Sequence, residues 1–131
     1  MKPEELIAMA KEAMRQAYAP YSGFLVGAAL LTASGAVYTG CNIENAAFSP
    51  TNCAERTAFF KAVSEGVREF EAIAVVGGKG GTITGLCPPC GVCRQVMQEF
   101  CGPDFRIYMG GENDSWETVR LKDLLPYGFS L

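Results

Sequence analysis

Four residues in two short segments have the types and spacing needed for metal-assisted hydrolysis. One segment carries Cys53 and, two positions later, Glu55, while the other carries Cys90 and Cys93. Thiolates are common zinc ligands, and three protein ligands leave one tetrahedral position open, as in catalytic zinc sites. A carboxylate two residues from one ligand, without being a ligand itself, is placed to transfer a proton. We predict that the three cysteines hold one zinc ion per chain and that Glu55 carries the proton.

The absence of histidine from the chain excludes several other kinds of site. Catalytic triads, Cys-His pairs, haem ligation by imidazole and zinc sites with histidine ligands all require this residue. A zinc ion held by thiolates alone carries a net negative charge, which a nearby cation that donates hydrogen bonds to sulfur would offset. Arg56 directly follows Glu55, and Arg94 directly follows Cys93. We expect at least one of these arginines to do so.

Cys87 leaves two alternatives open, because it forms an overlapping C-x-x-C pair with Cys90. A Cys-Pro-Pro-Cys segment before a helix is typical of thiol oxidoreductases of the thioredoxin type. Such an enzyme would need neither Cys93 nor the pair of Cys53 and Glu55. A structural zinc site could take Cys87 as its fourth ligand, but Glu55 would then have no function.

The segments that position these residues alternate between helical and extended patterns. Apolar spacing predicts helices over about residues 3–17, 53–65, 91–101 and 121–125, and strands over about 24–32, 36–43, 72–76, 105–109 and 116–119. Two zinc-ligand candidates therefore begin helices, where free backbone N–H groups favour a thiolate. This alternation predicts an α/β fold: a three-layer α-β-α sandwich on a mixed sheet of about five strands. The glycine-rich segment 77–81 lacks the spacing of a phosphate-binding loop and is interpreted as a flexible loop.

Composition places limits on the partners. The chain has 131 residues with 11 Lys and Arg against 14 Asp and Glu, a net charge of −3, and no basic run. Nucleic-acid polymers are therefore not expected as partners, and no stretch approaches the ~18 apolar residues of a membrane span. The N-terminal segment is typical of an amphipathic helix rather than a signal peptide, so we expect a cytoplasmic protein with free thiols. No internal repeat appears, so residues 1–131 are taken as one domain.

Four segments in order resemble the small homotetrameric cytidine deaminases, and the resemblance covers nearly the whole chain. They are Tyr21–Leu30, Gly40–Ala46, Cys53–Ala58 and Pro89–Gln95. The resemblance implies zinc-dependent hydrolytic deamination of cytidine and 2′-deoxycytidine to uridine and 2′-deoxyuridine plus ammonia, as part of pyrimidine salvage. It also implies the fold of this family, and a homotetramer with shared active sites.

The resemblance assigns roles to individual residues. Cys53, Cys90 and Cys93 match the zinc ligands of the family, Glu55 its proton shuttle and Arg56 the arginine that supports a three-thiolate zinc. The positions matching substrate contacts are an aromatic wall at Phe24, ribose contacts at Asn42 and Glu44, a backbone amide at Ala54 and an aromatic from a neighbouring subunit at Phe129.

Two features limit what the resemblance implies about substrates. Phe48 stands where many relatives carry tyrosine, so one hydroxyl hydrogen bond is not expected here. Blasticidin-type deaminases share the zinc signature and are the main alternative, although the segment 42–45 favours a plain nucleoside. A nucleotide is disfavoured because the sequence places no cation near Asn42 or Glu44 to bind a phosphate.

Overall fold

Five strands form one mixed sheet with the spatial order β2-β1-β3-β4-β5 in the computed structural model, which describes residues 1–131. The strands are β1 Phe24–Thr32, β2 Val37–Cys41, β3 Phe70–Lys79, β4 Arg106–Gly110 and β5 Trp116–Arg120. β1 is antiparallel to both β2 and β3, β3 is parallel to β4, and β4 is antiparallel to β5. The first two strands thus form the expected hairpin, which makes the sheet mixed.

Four helices accompany the sheet. They are α1 Pro3–Met14, α2 Ala54–Ser64, α3 Gly91–Phe100 and α4 Leu121–Leu124, with a 3₁₀ turn at Glu112–Asp114. Pro3 occupies the first turn of α1, where its missing N–H costs no intrahelical hydrogen bond. The longest helix has 12 residues, and none is long and apolar enough to cross a membrane.

Alternate residues of the strands bury their side chains on opposite faces of the sheet, as the pleat requires. On one face, Ala28, Leu30 and Val75 pack with residues of α2, α3 and α4. On the other face, Ala29 and Val76 pack against α1. This arrangement confirms the predicted α/β sandwich with helices on both sides of a mixed five-stranded sheet.

A glycine allows α2, the helix that carries three candidate site residues, to lie directly on the sheet. A Cβ at Gly40 in β2 would overlap the carbonyl oxygen of Ala54 and would lie 2.6 Å from the amide nitrogen of Ala58. Only a residue without a side chain permits this close approach of backbone to backbone. Gly40 therefore sets the position of the start of α2 relative to β1 and β2.

The third strand is longer than the sequence predicts. β3 includes Gly77, Gly78 and Lys79, which pair with residues 24–26 of β1. The interpretation of residues 77–81 as a flexible loop is therefore wrong for the first three residues, because pairing with β1 holds them extended. Only Gly80 and Gly81 form the turn, where both adopt positive φ.

Candidate active site

Three cysteine sulfurs meet where two helices begin. Cys53 is the N-cap of α2, Cys90 is the N-cap of α3, and Cys93 lies in the first turn of α3. The Sγ atoms of Cys53 and Cys90 are 3.7 Å apart, and those of Cys90 and Cys93 are 3.5 Å apart. All three sulfurs lie within 4.8 Å of one another. The structure thus brings together the three residues that the sequence predicts as ligands.

The spacing of these sulfurs fits a zinc ion. Tetrahedral zinc with Zn–S bonds of about 2.3 Å places neighbouring sulfurs about 3.8 Å apart. All six cysteines of the chain are free, so no disulfide competes for these three. Three sulfur donors suit zinc and leave one tetrahedral position open, and an open fourth position is typical of catalytic zinc.

Arg56 supplies a positive charge to this cluster. Its Nη2 atom donates a hydrogen bond to Cys53 Sγ at 3.1 Å, from a position one helical turn further along α2. The pKa of Cys53 is lowered to about 5, first by a hydrogen bond from Cys93 and also by the Arg56 guanidinium. Of the two candidate arginines, Arg56 is therefore the one in contact with a sulfur.

Arg94 has a different environment from Arg56. Its Nε atom donates to the Pro89 carbonyl at 2.7 Å, and its Nη1 atom donates to the Leu124 carbonyl at 2.8 Å. These hydrogen bonds tie α3 to the segment before it and to α4. Arg94 therefore braces the backbone beside Cys90 rather than contacting the sulfurs.

Glu55 lines a cavity of about 280 Å³. Its side chain belongs to the buried start of α2, only 4% of the residue is exposed, and it is the only charged residue among the buried ones. Burial raises the pKa of its carboxyl to about 7, and the negative charge of Cys53 acts in the same direction. Cys53, Ala54 and Cys90 line the same cavity.

The two predicted ribose contacts, Asn42 and Glu44, line the same cavity. Glu44 accepts hydrogen bonds from the backbone N–H groups of Tyr21 at 2.9 Å and Ser22 at 3.1 Å, and from the Ser22 hydroxyl. Asn42 is bound to strand β1, because its Nδ2 atom donates to the Phe24 carbonyl at 2.8 Å. Its Oδ1 atom accepts from the Val26 N–H at 2.9 Å. Both polar side chains are therefore held in fixed orientations.

The two predicted aromatic contacts lie in different places. Phe24 lines the cavity at the start of β1. Phe129 does not line the cavity of its own chain: it is 65% exposed, and its carbonyl accepts a hydrogen bond from Gln95 Nε2 at 3.5 Å. Phe48 is 95% exposed. The structure thus brings Phe24 to the site and leaves Phe129 at the surface of the same chain.

Cys87 lines the cavity but lies outside the sulfur cluster. Its Sγ atom packs beside Gly77, where a Cβ would lie 2.9 Å from both this sulfur and the Phe24 ring. Burial, followed by the charge of Glu55, raises the pKa of the Cys87 thiol to about 11. A thiol oxidoreductase needs a reactive thiolate, and a four-sulfur zinc site needs Cys87 in the cluster, so the geometry favours neither alternative.

Sequence reasoning missed several residues that line the cavity. These residues are Ser22, Thr51, Asn52 and Pro88, and all four lie in loops. Ser22 forms hydrogen bonds with both Glu44 and Phe24, yet a serine in a turn before a strand has no distinctive signal. Its role depends on Glu44, which is 22 positions away in the sequence.

Comparison with known proteins agrees with this geometry. The family model for the cytidine and deoxycytidylate deaminase zinc-binding region matches residues 1–109. The chain belongs to the cytidine and deoxycytidylate deaminase family. A cytidine deaminase of Sporosarcina psychrophila is 54% identical over 99% of this chain and 93% of its own length. A cytidine deaminase of Halalkalibacterium halodurans is 48% identical over 99% of this chain and 96% of its own length.

Solved structures of cytidine deaminases share the fold. The structure of the Burkholderia pseudomallei protein superimposes with a TM-score of 0.90 at 47% identity, covering 98% of this chain and 100% of that chain. The structure of the Mycobacterium tuberculosis protein gives a TM-score of 0.82 at 39% identity, covering 100% of this chain and 99% of that chain. Family membership and sulfur geometry together identify zinc, one ion per chain, as the cofactor of this deaminase domain.

Replacing Arg56 with methionine is expected to weaken zinc binding by roughly 10–100-fold, because residues that hydrogen-bond to metal ligands typically contribute this much. Methionine keeps much of the apolar stem but leaves the charge of the three thiolates uncompensated. Competition with a chromophoric chelator measures the affinity. The matched control is Arg106→Met, which removes a half-buried arginine that is paired with Glu71 and lies away from the sulfurs in β4. Equal zinc affinity in the Arg56 variant and the wild type would contradict this role.

Proposed function

We propose that the chain hydrolyses cytidine and 2′-deoxycytidine to uridine and 2′-deoxyuridine with release of ammonia, a reaction of pyrimidine salvage. One observation carries this proposal: a single cavity is lined by Cys53 and Cys90 of the sulfur cluster and the buried Glu55, and also by Asn42 and Glu44. A hydrolytic centre, an aromatic side chain at Phe24 and polar groups in one cavity match the chemistry of a pyrimidine nucleoside.

The three cysteines and Glu55 provide the hydrolytic chemistry. Cys53, Cys90 and Cys93 would hold the zinc ion, which when bound lowers the pKa of a coordinated water. Deamination requires that both protons of the attacking water leave it, one for ring N3 and one for the departing amino group. Glu55 is the buried carboxyl that lines the cavity, so it carries the first proton from the attacking water to N3. It then carries the second proton from the hydroxyl added at C4 to the amino group, which leaves as ammonia.

The remaining contacts orient the substrate. Phe24 offers an aromatic face to the pyrimidine ring, and Asn42 and Glu44 bind the ribose hydroxyls. Ala54 is the first residue of α2, where a backbone N–H has no intrahelical acceptor and is free to bind the O2 carbonyl oxygen of the base. The Cys90 carbonyl, which accepts from the Arg94 N–H at 3.0 Å, keeps a second lone pair for the amino group.

The choice among related substrates depends on the charged groups around Glu44. The expectation that no cation lies near Glu44 needs one correction, since the charge of Lys79 acts on this carboxyl. The Lys79 ammonium nevertheless donates to the Ser22 carbonyl at 2.6 Å and is engaged there. A nucleoside therefore remains the favoured substrate over a nucleotide, and a blasticidin-type analogue is the second candidate.

Ammonia release from four compounds tests this proposal. Cytidine, 2′-deoxycytidine, dCMP and blasticidin S are each incubated with zinc-loaded protein, and ammonia is measured by a coupled assay. We expect rapid release from the first two and much slower release from the others. Preferred turnover of blasticidin S would support the analogue deaminase instead, and release from none of the four would reject both.

We also propose that residues 1–131 act as one cytoplasmic catalytic domain in a homotetramer with shared active sites. The support is a single sheet that spans residues 24–120 with a core on each face, and a set of exposed aromatic residues. These are Tyr21, Phe48, Tyr127 and Phe129. The net charge of −3 is consistent with the absence of nucleic-acid polymers among its partners.

If Phe129 reaches the site of a neighbour, two impaired variants are expected to complement each other. Glu55→Gln chains keep Phe129, and Phe129→Ala chains keep Glu55. Mixed oligomers, formed by co-expression, therefore contain sites with Glu55 from one chain and Phe129 from another. We expect the mixture to regain roughly a quarter or more of the wild-type activity per site. A fully active monomer, or no gain over the separate variants, would contradict shared sites.

A further inference from the structure

Lys79 ends strand β3 beside Ser22, which lines the cavity and contacts Glu44. Its Nζ atom donates a hydrogen bond to the Ser22 carbonyl at 2.6 Å. Its stem lies over Gly23, where a Cβ would be 3.4 Å from Lys79 Cε and where φ is +69°. The Gly80 N–H also donates to the Gly23 carbonyl at 2.8 Å. The end of β3 is therefore fastened to residues 22 and 23 by two hydrogen bonds.

Ser22 links this fastening to the predicted substrate contacts. Its N–H and its hydroxyl both donate to the Glu44 carboxylate. Its Oγ atom also accepts a hydrogen bond from the Phe24 N–H at 3.0 Å. Because one serine contacts both residues, displacement of its backbone would move the sugar-binding carboxylate and the start of the strand that carries the aromatic wall.

Both oxygens of the Glu44 carboxylate accept hydrogen bonds from Tyr21 and Ser22. Oε1 accepts the two backbone N–H groups, and Oε2 accepts the Ser22 hydroxyl. A carboxylate has about four lone-pair sites, so roughly one remains on Oε2 to accept a sugar hydroxyl. The Ser22 hydroxyl lowers the pKa of Glu44 most, followed by the Ser22 amide, and the Lys79 charge adds to this effect.

We propose that Lys79 is a positioning residue for Glu44: by holding the Ser22 loop, it fixes the carboxylate in the orientation that accepts a ribose hydroxyl. The inference rests on the proposed deaminase function, since it assumes that a nucleoside occupies the cavity. This role gives a function to the lysine at the last position of β3. Lys79 itself does not contact the substrate.

Kinetics with two substrates separate positioning from general destabilisation. We compare kcat/KM for cytidine with kcat/KM for 2′,3′-dideoxycytidine, which lacks both ring hydroxyls. In Lys79→Met, the ratio of the two values is expected to fall roughly threefold to tenfold, the effect of weakening one hydrogen bond to a charged acceptor. Lys79→Arg should restore most of the ratio, because it keeps the charge and donors. The control Lys122→Met removes an exposed lysine paired with Asp104 and should leave the ratio unchanged.

A double-mutant cycle shows whether Lys79 acts through Glu44. In a Glu44→Gln background, Lys79→Met is expected to change the ratio by less than about twofold, since coupled effects are not additive. An equal loss for both substrates, an unchanged ratio, or a full effect in the Glu44→Gln background would overturn the inference. Failure of the unmodified chain to release ammonia from cytidine would instead contradict the proposed function, so the two failures are distinguishable.

Discussion

Replacement of Glu55 by glutamine is expected to reduce the turnover of cytidine by about 10²–10⁴-fold, the range typical of a lost general acid–base. Glutamine has nearly the same shape and can still form hydrogen bonds, but it accepts no proton at neutral pH. It also removes a carboxylate that is costly to bury, so the fold is expected to be retained. Zinc should remain bound, because the carboxylate is not one of the three ligands.

Two measurements on the same sample separate the role of Glu55 from a structural one. Ammonia release gives the turnover, and metal analysis gives the zinc content, which we expect to stay at about one ion per chain. The control is Glu65→Gln, which changes an exposed glutamate at the other end of α2. Retention of wild-type turnover by Glu55→Gln would remove this residue from the mechanism. Loss of zinc by the same variant would show that it helps to hold the metal.

Replacement of Cys90 by serine is expected to remove both zinc and activity. A serine hydroxyl is not ionised at neutral pH and is a much poorer zinc ligand than a thiolate. Two sulfurs are too few protein ligands to hold zinc tightly, so the zinc content should fall from about one ion per chain to nearly none. The thermal midpoint should also fall, because the metal joins the starts of α2 and α3.

Cys87→Ser is the matched control for the zinc site. Its sulfur lies three positions before Cys90 but outside the cluster, so this variant should keep its zinc. The readout is zinc content rather than activity, since Cys87 lines the cavity. Zinc retained by Cys90→Ser would contradict the assignment of the ligands. Loss of zinc from Cys87→Ser would favour the four-sulfur structural site instead.

Local sequence patterns predict the helix starts of the metal site and the bounds of the first strand. Cys53 and Cys90 were predicted at helix starts, and both are N-caps in the structure. The long apolar run of β1 was predicted at Phe24–Thr32, the bounds that the structure has. These features depend on residues close together in the sequence, which is why spacing alone predicts them.

Features that depend on distant contacts were not predictable. Sequence adjacency favoured Arg56 and Arg94 equally. The contacts of Arg94 decide between them, because its guanidinium is held by the carbonyls of Pro89 and of Leu124, 30 positions away. The extension of β3 through Lys79 depends on pairing with β1 more than 50 residues earlier. The contact between Ser22 and Glu44 likewise joins two loops that no local pattern connects.

The most direct test of the central claim is the conversion of cytidine by purified protein as a function of its zinc content. Chelation should abolish the conversion, and stepwise addition of zinc should restore it in proportion to bound metal, up to about one ion per chain. Uridine and ammonia should appear in equal amounts throughout. Full turnover by zinc-free protein, or loss of cytidine without an equal yield of uridine and ammonia, would contradict zinc-dependent hydrolytic deamination by this chain.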